Sequence, residues 1–582
     1  MARSLILGAS RGQWALAAAP PGTVGAVGRA YVLGRTKKRG DRVKRLVVIA
    51  ATTAVLAGGA GAGVPAVAAA SAPLGLGISS IQWGKCTDPF LQKAHASCAL
   101  LSVPLNYSQP AGPKIKIAVS RIKHTSSAKN YQGVILTNPG GPGGSGLNLN
   151  VFLIQALKAE HFGAAAADYD WIGFDPRGVG SSVPALTCQP NYFSPDRLPY
   201  NPTTKATLAY WKARSAKYAA ACQAQSPAQA ALLKNMTTVD ATRDMDSIRQ
   251  ALGQKQITYY GFSYGTYLGQ VYSTLFPSHV RRLIMDSNVD PRHVWYVANL
   301  RQDIAFNRNV NIWFGWLAKY DKVYHLGATE QAVQHRWYAE QALLTKHPIL
   351  GQVGPDEWTD ILLYAGYYEQ TWTQLGEAFA NWENTHSAKA AKKIVALYKS
   401  SDGLGNDNGF AVYNAVQCTD VQWPLSWAKW ARDNTRINKF APFETWGNAW
   451  YNAPCLYWPA PASTPTTVNG SHISSALLID ETLDAATPFE GSEYVRSVFP
   501  HAVLLAEPGG TSHADSLFGN LCVDGTIANY LVSGKLPPRN PHARWDKTCK
   551  PLPRPVPTGS SARNASASSY STVLSQLRGL RP

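Results

Sequence analysis

The sequence predicts an α/β fold with a mostly parallel sheet. Short apolar runs that suit buried strands alternate with segments of helical periodicity, and several of these runs end directly in Gly- or Pro-rich turns. Such alternation is typical of parallel strands joined by helical crossovers. The chain has 582 residues, of which 45% are hydrophobic and 16% charged, so it can bury the core that such a sheet needs.

The strand predictions rest on apolar patterning. The first predicted strand alternates in polarity like a half-buried strand, and the later ones are short apolar runs. They cover residues 115–122, 133–137, 169–174, 257–262, 280–285, 476–479 and 502–505. Before the fourth of these, the capping-box spacing of Thr237 and Asp240 predicts the start of a helix, and Gly253 follows its last periodic residue.

No strand pattern continues between about residues 291 and 470. Trp, Tyr, Gln and Ala dominate there, and residues 330–344, 372–383 and 388–398 have helical periodicity. We interpret 291–470 as an α-helical lid insertion between two halves of the core, 73–290 and 471–550. An independent helical domain is the alternative. The Pro-, Ser- and Ala-rich residues 551–582 are predicted to form a flexible tail.

The formal net charge of +19 raises the question of nucleic-acid binding. Residues 1–72 hold ten basic residues and one acid, and four arginines without an acid follow Lys550. Residues 73–550 therefore carry only +6. A uniformly basic body that binds nucleic acid is not supported.

Residues 1–72 are predicted to contain an export signal. A basic run at 35–45 precedes an apolar stretch at 46–57 and then small residues that suit cleavage before residue 73. A membrane span is the alternative, but a spanning helix needs about 20 apolar residues and this stretch is shorter. We expect a secreted protein without a stable membrane span.

The cysteine pattern agrees with export. The eight cysteines fall into four neighbouring couples, and no Cys-x-x-Cys pair suggests zinc or a redox dithiol. We predict local disulfides between neighbours along the chain, with free buried thiols as the alternative. No metal or other cofactor is predicted. The cysteines are Cys86, Cys98, Cys188, Cys222, Cys418, Cys455, Cys522 and Cys549.

The strongest chemical signal is the pentapeptide Gly261-Phe262-Ser263-Tyr264-Gly265. A predicted strand precedes it and a predicted helix follows, which is the strand–turn–helix of a nucleophile elbow. Small flanking residues allow the strained turn that exposes the serine hydroxyl. An ordinary Gly-rich turn is the alternative reading of this motif.

A serine nucleophile needs a histidine to take its proton and a carboxylate to orient that histidine. The order serine, acid, histidine suits this fold class. Asp484, deepest in the loop after the strand at 476–479, is the predicted acid, whereas Asp480 and Glu481 are interpreted as strand-end and solvent-facing residues. His513 follows a double glycine and is the predicted base. The competing histidines, His501 and His542, are in positions typical of the surface.

The Gly-rich segment 138–146 follows the predicted strand at 133–137. In this architecture such a loop supplies one amide of the oxyanion hole, and the residue after the serine, Tyr264, supplies the other. A phosphate-binding loop is the rival interpretation. The segment lacks the Lys-Ser/Thr of a P-loop and the glycine spacing of a dinucleotide fingerprint.

Together these motifs resemble the secreted tripeptidyl aminopeptidases, which are α/β hydrolases related to proline iminopeptidase. The resemblance lies in residues 138–146, 173–182, 260–269 and 483–488. It implies an α/β-hydrolase fold and a serine exopeptidase that removes short peptides, with tripeptides as the expected product, from free N-termini. It also implies Ser263, Asp484 and His513 as the triad and Gly141 with Tyr264 as oxyanion donors.

An aminopeptidase must also bind the substrate's ammonium, which calls for a carboxylate near the cleft. Asp420, Glu369 and Glu490 are the candidates, and sequence does not rank them. The expected partners are peptides with a free N-terminus. Two other functions stay open: a secreted carboxylesterase with the same triad, and a non-catalytic binding protein on a hydrolase scaffold. The oligomeric state is not predicted.

Overall fold

The strands form one mixed sheet. The computed structural model describes residues 80–557 except 196, 402 and 403, and within that part the sheet has ten strands. They are β1 (Gly84–Lys85), β2 (Ser97–Pro104), β3 (Lys114–Ile122), β4 (Val134–Asn138), β5 (Asp170–Asp175), β6 (Ile257–Phe262), β7 (Val280–Asp286), β8 (Ala476–Glu481), β9 (Ala502–Glu507) and β10 (Lys547–Thr548).

The sheet order is β1-β2-β3-β5-β4-β6-β7-β8-β9-β10. From β5 onward all neighbours are parallel, whereas β1, β2 and β3 form an antiparallel edge. The predicted parallel sheet is therefore correct for its centre, and the strands that prediction missed are β1, β2 and β10 at its edges. Because the parallel strands share one direction, the loops after β4, β6, β8 and β9 meet at a common edge.

Helices cover the sheet and fill the insertion between β7 and β8. They are α1 (Pro89–Lys93), α2 (Leu149–Ala159), α3 (Gly163–Ala167), α4 (Lys205–Ala224), α5 (Pro227–Leu233), α6 (Thr238–Ala251), α7 (Tyr264–Leu275), α8 (Tyr296–Lys319), α9 (Asp321–Tyr324), α10 (Glu330–Leu344), α11 (Pro355–Tyr367), α12 (Trp372–Thr385), α13 (Ala388–Ser401), α14 (Asn408–Asp420), α15 (Trp427–Asn438), α16 (Thr445–Asn452), α17 (Glu490–Val498) and α18 (Leu521–Ser533). Short 3-10 helices occupy Pro277–His279, Glu369–Thr371 and Ala453–Leu456.

Helix α6 begins where the capping box predicts. The Thr237 hydroxyl oxygen accepts a hydrogen bond from the Asp240 amide at 3.0 Å, and Gly253 follows the helix with a φ of +66°. The segment between β7 and β8 contains α8–α16, so helices occupy the stretch interpreted as the lid insertion. The lid has its own aromatic core, in which the side chains of Trp313, Trp337, Trp358 and Trp372 are fully buried. Burying such large rings stabilises the lid, because each removes a large apolar area from water.

All eight cysteines form disulfides between neighbours along the chain, as predicted. The pairs are Cys86–Cys98, Cys188–Cys222, Cys418–Cys455 and Cys522–Cys549. They tie β1 to β2, the loop after β5 to α4, α14 to the turn after α16, and α18 to the segment after β10. Covalent closure of these loops restricts the unfolded chain.

The start of the predicted flexible tail contacts the lid. The Trp316 indole N–H donates to the Pro555 carbonyl at 3.0 Å, and the Arg554 guanidinium lies 5.3 Å from the centre of the Trp372 ring. The prediction of a tail beginning at residue 551 is therefore wrong for 551–557. The apolar lid surface that holds these residues comes from elements distant in sequence.

The predicted export signal in 1–72 lies outside the described residues. Within residues 80–557, no helix combines the length and the apolar character needed to cross a bilayer.

Candidate active site

Ser263 occupies the sharp turn between β6 and α7. Its backbone has φ 54° and ψ −127°, a strained conformation for a residue with a side chain. The turn also brings neighbouring backbone very close. A Cβ added to Gly261 would lie 2.4 Å from the Gly265 carbonyl oxygen, and one added to Gly265 would lie 2.7 Å from the Asn138 carbonyl oxygen. Only glycine fits at these two positions, so the pentapeptide builds a nucleophile elbow that presents the Ser263 hydroxyl.

Asp484 and His513 come from the loops after β8 and β9 and form a hydrogen-bonded pair. The distance from His513 Nδ1 to Asp484 Oδ2 is 2.8 Å, and both side chains are buried. The Thr487 amide and hydroxyl also donate to the Asp484 carboxylate, at 3.1 and 2.8 Å. Burial by itself would raise the pKa of Asp484, but the charge and hydrogen bond of His513 and the Thr487 bonds hold that pKa below its usual range. Asp484 is therefore an ionised partner for the imidazole.

Ser263 and His513 line one cavity of about 360 Å³, which we call the apolar cavity. Its walls come mainly from α2 and from the segment after His513. The apolar side chains that line it are Leu149, Phe152, Leu153, Ala156, Phe262, Leu517 and Phe518. A space of this size accepts a large apolar side chain next to the serine.

Gly141 and Tyr264, which the sequence nominates as oxyanion donors, lie beside the serine. Gly141, with φ +107°, and Tyr264 line a second space next to Ser263. Tyr264 is the first residue of α7, so its amide has no partner within that helix. The Gly-rich loop after β4 packs tightly against the elbow. A Cβ added to Gly140 would lie only 2.5 Å from the Phe262 carbonyl oxygen.

That second space, of about 50 Å³, lies on the side of Ser263 that faces the lid, and we call it the polar cavity. In contrast to the apolar cavity, its lining is rich in charged and amide side chains. The polar residues that line it include Asp290, His293, Asn299, Arg301, Gln302, Gln417 and Thr487. Asp290 is not an open carboxylate, because Arg292 binds it at 2.7 and 2.8 Å.

The structure does not bring the three predicted ammonium-binding acids to the serine. Asp420 is buried behind the elbow, where it accepts hydrogen bonds from the Thr238 amide and the Trp295 indole, and burial raises its pKa to about 7. Glu369 is hydrogen-bonded to neighbouring side chains, and Glu490 is exposed at the start of α17. None of the three is among the described residues that line the apolar or the polar cavity.

Sequence reasoning missed how buried the two acids at the end of β8 are. Asp480 accepts a hydrogen bond from the Ser492 hydroxyl at 2.5 Å, and Glu481 lies beneath the loop of His513. The interpretation of Glu481 as solvent-facing is wrong, because Gly510 leaves room for its carboxyl group: a Cβ on Gly510 would lie 2.4 Å from it. Strand β8 continues for two residues, Asp480 and Glu481, beyond the end of its hydrophobic residues.

Glu481, Glu507 and Asp515 form a buried acid cluster, in which one oxygen from each lies within 4.8 Å of the others. Burial raises the pKa of Asp515 to about 7 and that of Glu507 to about 10, and raises that of Glu481 as well. Burial thus favours the protonated form of these carboxyl groups. One oxygen from each of the three also lies close enough to the others to form a cation-binding set.

The end of β7 connects the elbow to the histidine loop, a role that the sequence did not indicate. The Ser263 amide donates to the Asp286 carbonyl at 3.0 Å, and the Asp286 carboxylate accepts from the Ser516 amide at 3.0 Å. The Ser287 hydroxyl accepts from the Ala514 amide at 2.8 Å. These bonds fix the loop of His513 relative to Ser263. The feature of the sequence that could have revealed this role is an acid, Asp286, at the end of a central strand.

This arrangement defines the class of protein. A serine elbow after a central parallel strand, with a carboxylate and a histidine from later strand ends, is the architecture of an α/β-hydrolase serine enzyme. The α/β hydrolase fold family model matches residues 133–391, and the model described as TAP-like protein matches residues 441–549.

Similarity to named proteins indicates which family of α/β hydrolases the chain belongs to. The tripeptidyl aminopeptidase of Streptomyces lividans is 39% identical over 82% of this chain and 88% of that protein. The carboxylesterase B of Mycobacterium tuberculosis is 30% identical over 78% and 88%, and the serine protease Hip1 of the same species is 28% identical over 79% and 90%. The chain belongs to the tripeptidyl aminopeptidase family of α/β hydrolases, and it is a serine peptidase.

Proposed function

We propose that this protein is a secreted serine exopeptidase that releases short peptides, chiefly tripeptides, from free N-termini. Ser263 acts as nucleophile, His513 as general base and Asp484 as its orienting carboxylate. The observation that carries the proposal is the 2.8 Å bond between His513 Nδ1 and Asp484 Oδ2, in a cavity that Ser263 shares. The similarity to the tripeptidyl aminopeptidase of Streptomyces lividans supports the product length.

The hydrogen bond from Nδ1 to Asp484 leaves Nε2 of His513 as the basic nitrogen. As Ser263 Oγ bonds to the substrate carbonyl carbon, its proton passes to Nε2. The amides of Gly141 and Tyr264 hold the negative charge that develops on the carbonyl oxygen. The C–N bond then breaks as His513 gives the proton to the departing amine, which leaves an ester on Ser263.

The second half of the reaction repeats these roles with water. Water loses a proton to His513 and its oxygen bonds to the ester carbonyl carbon. When this intermediate collapses, the Ser263–acyl bond breaks and Ser263 recovers its proton from His513. The products are the released short peptide and the shortened substrate.

A fluorophosphonate probe and two matched substrates test this function. The probe is expected to label the wild type and not Ser263→Ala. A tripeptide arylamide with a free N-terminus should be hydrolysed much faster than the same compound with an acetylated one. Labelling of neither protein, or equal hydrolysis of both substrates, would contradict the proposal.

Secretion rests on the four disulfides, which require an oxidising compartment, together with the signal predicted in 1–72. The intact mass of the protein recovered from culture medium tests it. An N-terminus close to residue 73 is expected, and one before residue 60 would argue against cleavage there.

A carboxylesterase is the second candidate. One relative carries that name at 30% identity, and the apolar cavity suits an acyl or alkyl group. The same triad cleaves esters as well as amides. If short alkyl esters are turned over at rates that exceed those of free tripeptide arylamides, the esterase function is the better description.

A further inference from the structure

A third cavity lies within the lid, and we call it the tyrosine-lined pocket. Its volume is about 50 Å³, which is enough for an ammonium group and a few water molecules. Two carboxylates and four phenol rings face it, from α11, α14 and α16 and from the segments that precede α4 and α16. These residues are Asp360, Glu444, Tyr200, Tyr367, Tyr413 and Tyr451.

This pocket adjoins both cavities at the serine. Gln302 lines the polar cavity and the tyrosine-lined pocket, and Tyr367 lines the apolar cavity and the same pocket. The Tyr367 carbonyl also accepts a hydrogen bond from the His513 amide at 2.9 Å. A peptide that passes Gln302 would therefore reach from Ser263 into the lid.

Acidic side chains cluster beside the pocket. Arg197 binds Glu357 at 2.8 Å and Asp360 at 2.7 Å, so one guanidinium is shared by two acids. Asp356 lies in the same turn of α11, where burial raises the pKa of its carboxyl group. Glu444 adds a further carboxylate, which is 8% exposed at the pocket wall.

The chemistry of this lining suits a primary ammonium. Such a group offers three hydrogen-bond donors and no acceptor, which matches carboxylate and phenol oxygens. The faces of tyrosine rings also attract a cation. A carboxylate or phosphate would instead meet two acidic side chains and a set of acceptor oxygens, so an anionic ligand is disfavoured.

We propose that the tyrosine-lined pocket binds the N-terminal ammonium of the peptide substrate, with Glu444 as the principal carboxylate and Asp360, which Arg197 already binds, as a further hydrogen-bond acceptor. This assignment rests on the proposed function at Ser263. The proposed residues take the place of the three acids nominated from the sequence, Asp420, Glu369 and Glu490. The assignment also fixes the direction in which the peptide lies in the site. The residues to be released lie between Ser263 and the lid, and the remainder of the peptide leaves through the apolar cavity.

The test compares Glu444→Gln with Glu490→Gln, a matched change at an exposed acid outside the three cavities. Each variant is assayed on a tripeptide arylamide with a free and with an acetylated N-terminus. Glu444→Gln is expected to lower kcat/KM for the free substrate by about 10- to 100-fold, because a hydrogen bond to a charged group is lost. The value for the acetylated substrate should stay nearly constant, and Glu490→Gln should behave as the wild type.

Fluorophosphonate labelling is measured for every variant, so that the serine chemistry and the pocket are judged separately. Normal labelling with an unchanged ratio of free to acetylated substrate in Glu444→Gln overturns the pocket and leaves the serine peptidase intact. Failure of the wild type to react with the probe would instead contradict the proposed function.

A third substrate distinguishes an N-terminal ammonium from that of a side chain. It is acetylated and carries lysine at its first position. If its hydrolysis is fast and falls in Glu444→Gln as much as that of the free tripeptide, the pocket binds a side chain and the N-terminal assignment is wrong. Slow hydrolysis that does not change in Glu444→Gln supports the assignment.

Discussion

Two groups of acids flank the site, and they differ in what surrounds them. The buried acid cluster of Glu481, Glu507 and Asp515 lies beneath the histidine loop, where burial raises the pKa values of the carboxyl groups. Asp360 and Glu444 instead face a cavity in the lid. On the proposed assignment, acids in the core hold the catalytic loops in place, whereas acids in the lid select the substrate.

The largest effect is expected for Asp484, whose carboxylate belongs neither to the buried acid cluster nor to the tyrosine-lined pocket. Asp484→Asn should lower kcat on every substrate by about 10⁴-fold, because the amide no longer fixes the His513 tautomer. Steady-state kinetics on free and acetylated arylamides measure this loss. Asp480→Asn is the control, since Asp480 contacts Ser492 instead of the histidine. A fully active Asp484→Asn with an inactive Asp480→Asn would show that the wrong acid has been assigned.

A substitution in the loop after β4 should slow the hydrolysis of free and acetylated substrates equally. Gly140→Ala places a Cβ against the Phe262 carbonyl and the Tyr264 amide, so the oxyanion donors must shift. We expect kcat/KM to fall by about 100-fold or more on free and acetylated substrates alike. Gly253→Ala is the matched control, because that residue also has positive φ but open space around it. Similar activity of the two variants would contradict the proposed oxyanion hole.

The apolar cavity should bind a different part of the substrate from the part that the lid binds. Phe152 lines it from α2, and Phe152→Ala removes apolar contact without touching the triad. We expect KM to rise by about 10-fold for peptides with a large apolar residue after the scissile bond, and much less for glycine there. The ratio of free to acetylated substrate should not change. A changed ratio would show that the two sides of Ser263 do not divide the substrate in this way.

The smallest effect on catalysis is expected for the buried acid cluster, which should act on stability instead. The pKa of Asp515 is about 7 in the folded protein and about 3.9 when unfolded, so between these values the unfolded chain binds fewer protons. Stability from this group is therefore full below pH 4 and is lost as pH rises toward 7, by up to about 1.4 kcal/mol per pH unit. Urea unfolding across this range should show a flatter decline for Asp515→Asn. An identical slope would mean that Asp515 is ionised in the folded protein.

The sequence revealed the parts of this site that depend on local pattern. The glycines around Ser263 and the apolar strands before Asp484 and His513 are visible in short windows, because strained turns and buried strands restrict residue choice. The lid pocket was not visible in this way. Asp360 and Glu444 are far apart in the chain, and only the packing of α11 against its neighbours brings them to one cavity.

The edges of the fold escaped prediction for a similar reason. β2 holds Ser97–Pro104, and residues 97–100 at its start are only partly buried or exposed, so its apolar pattern is weak and its pairing with β3 is what defines it. The first residues after Cys549 looked like a tail because they are rich in proline. Their contact with Trp316 depends on a lid surface that no local window contains.

Mass spectrometry of the products from a peptide mixture tests the central claim most directly. The mixture contains each peptide with a free and with an acetylated N-terminus, and Ser263→Ala serves as the blank. We predict that the wild type cuts only the free forms and that tripeptides from their N-termini accumulate. Equal cleavage of the acetylated forms, or cuts at internal positions without N-terminal tripeptides, would contradict the account.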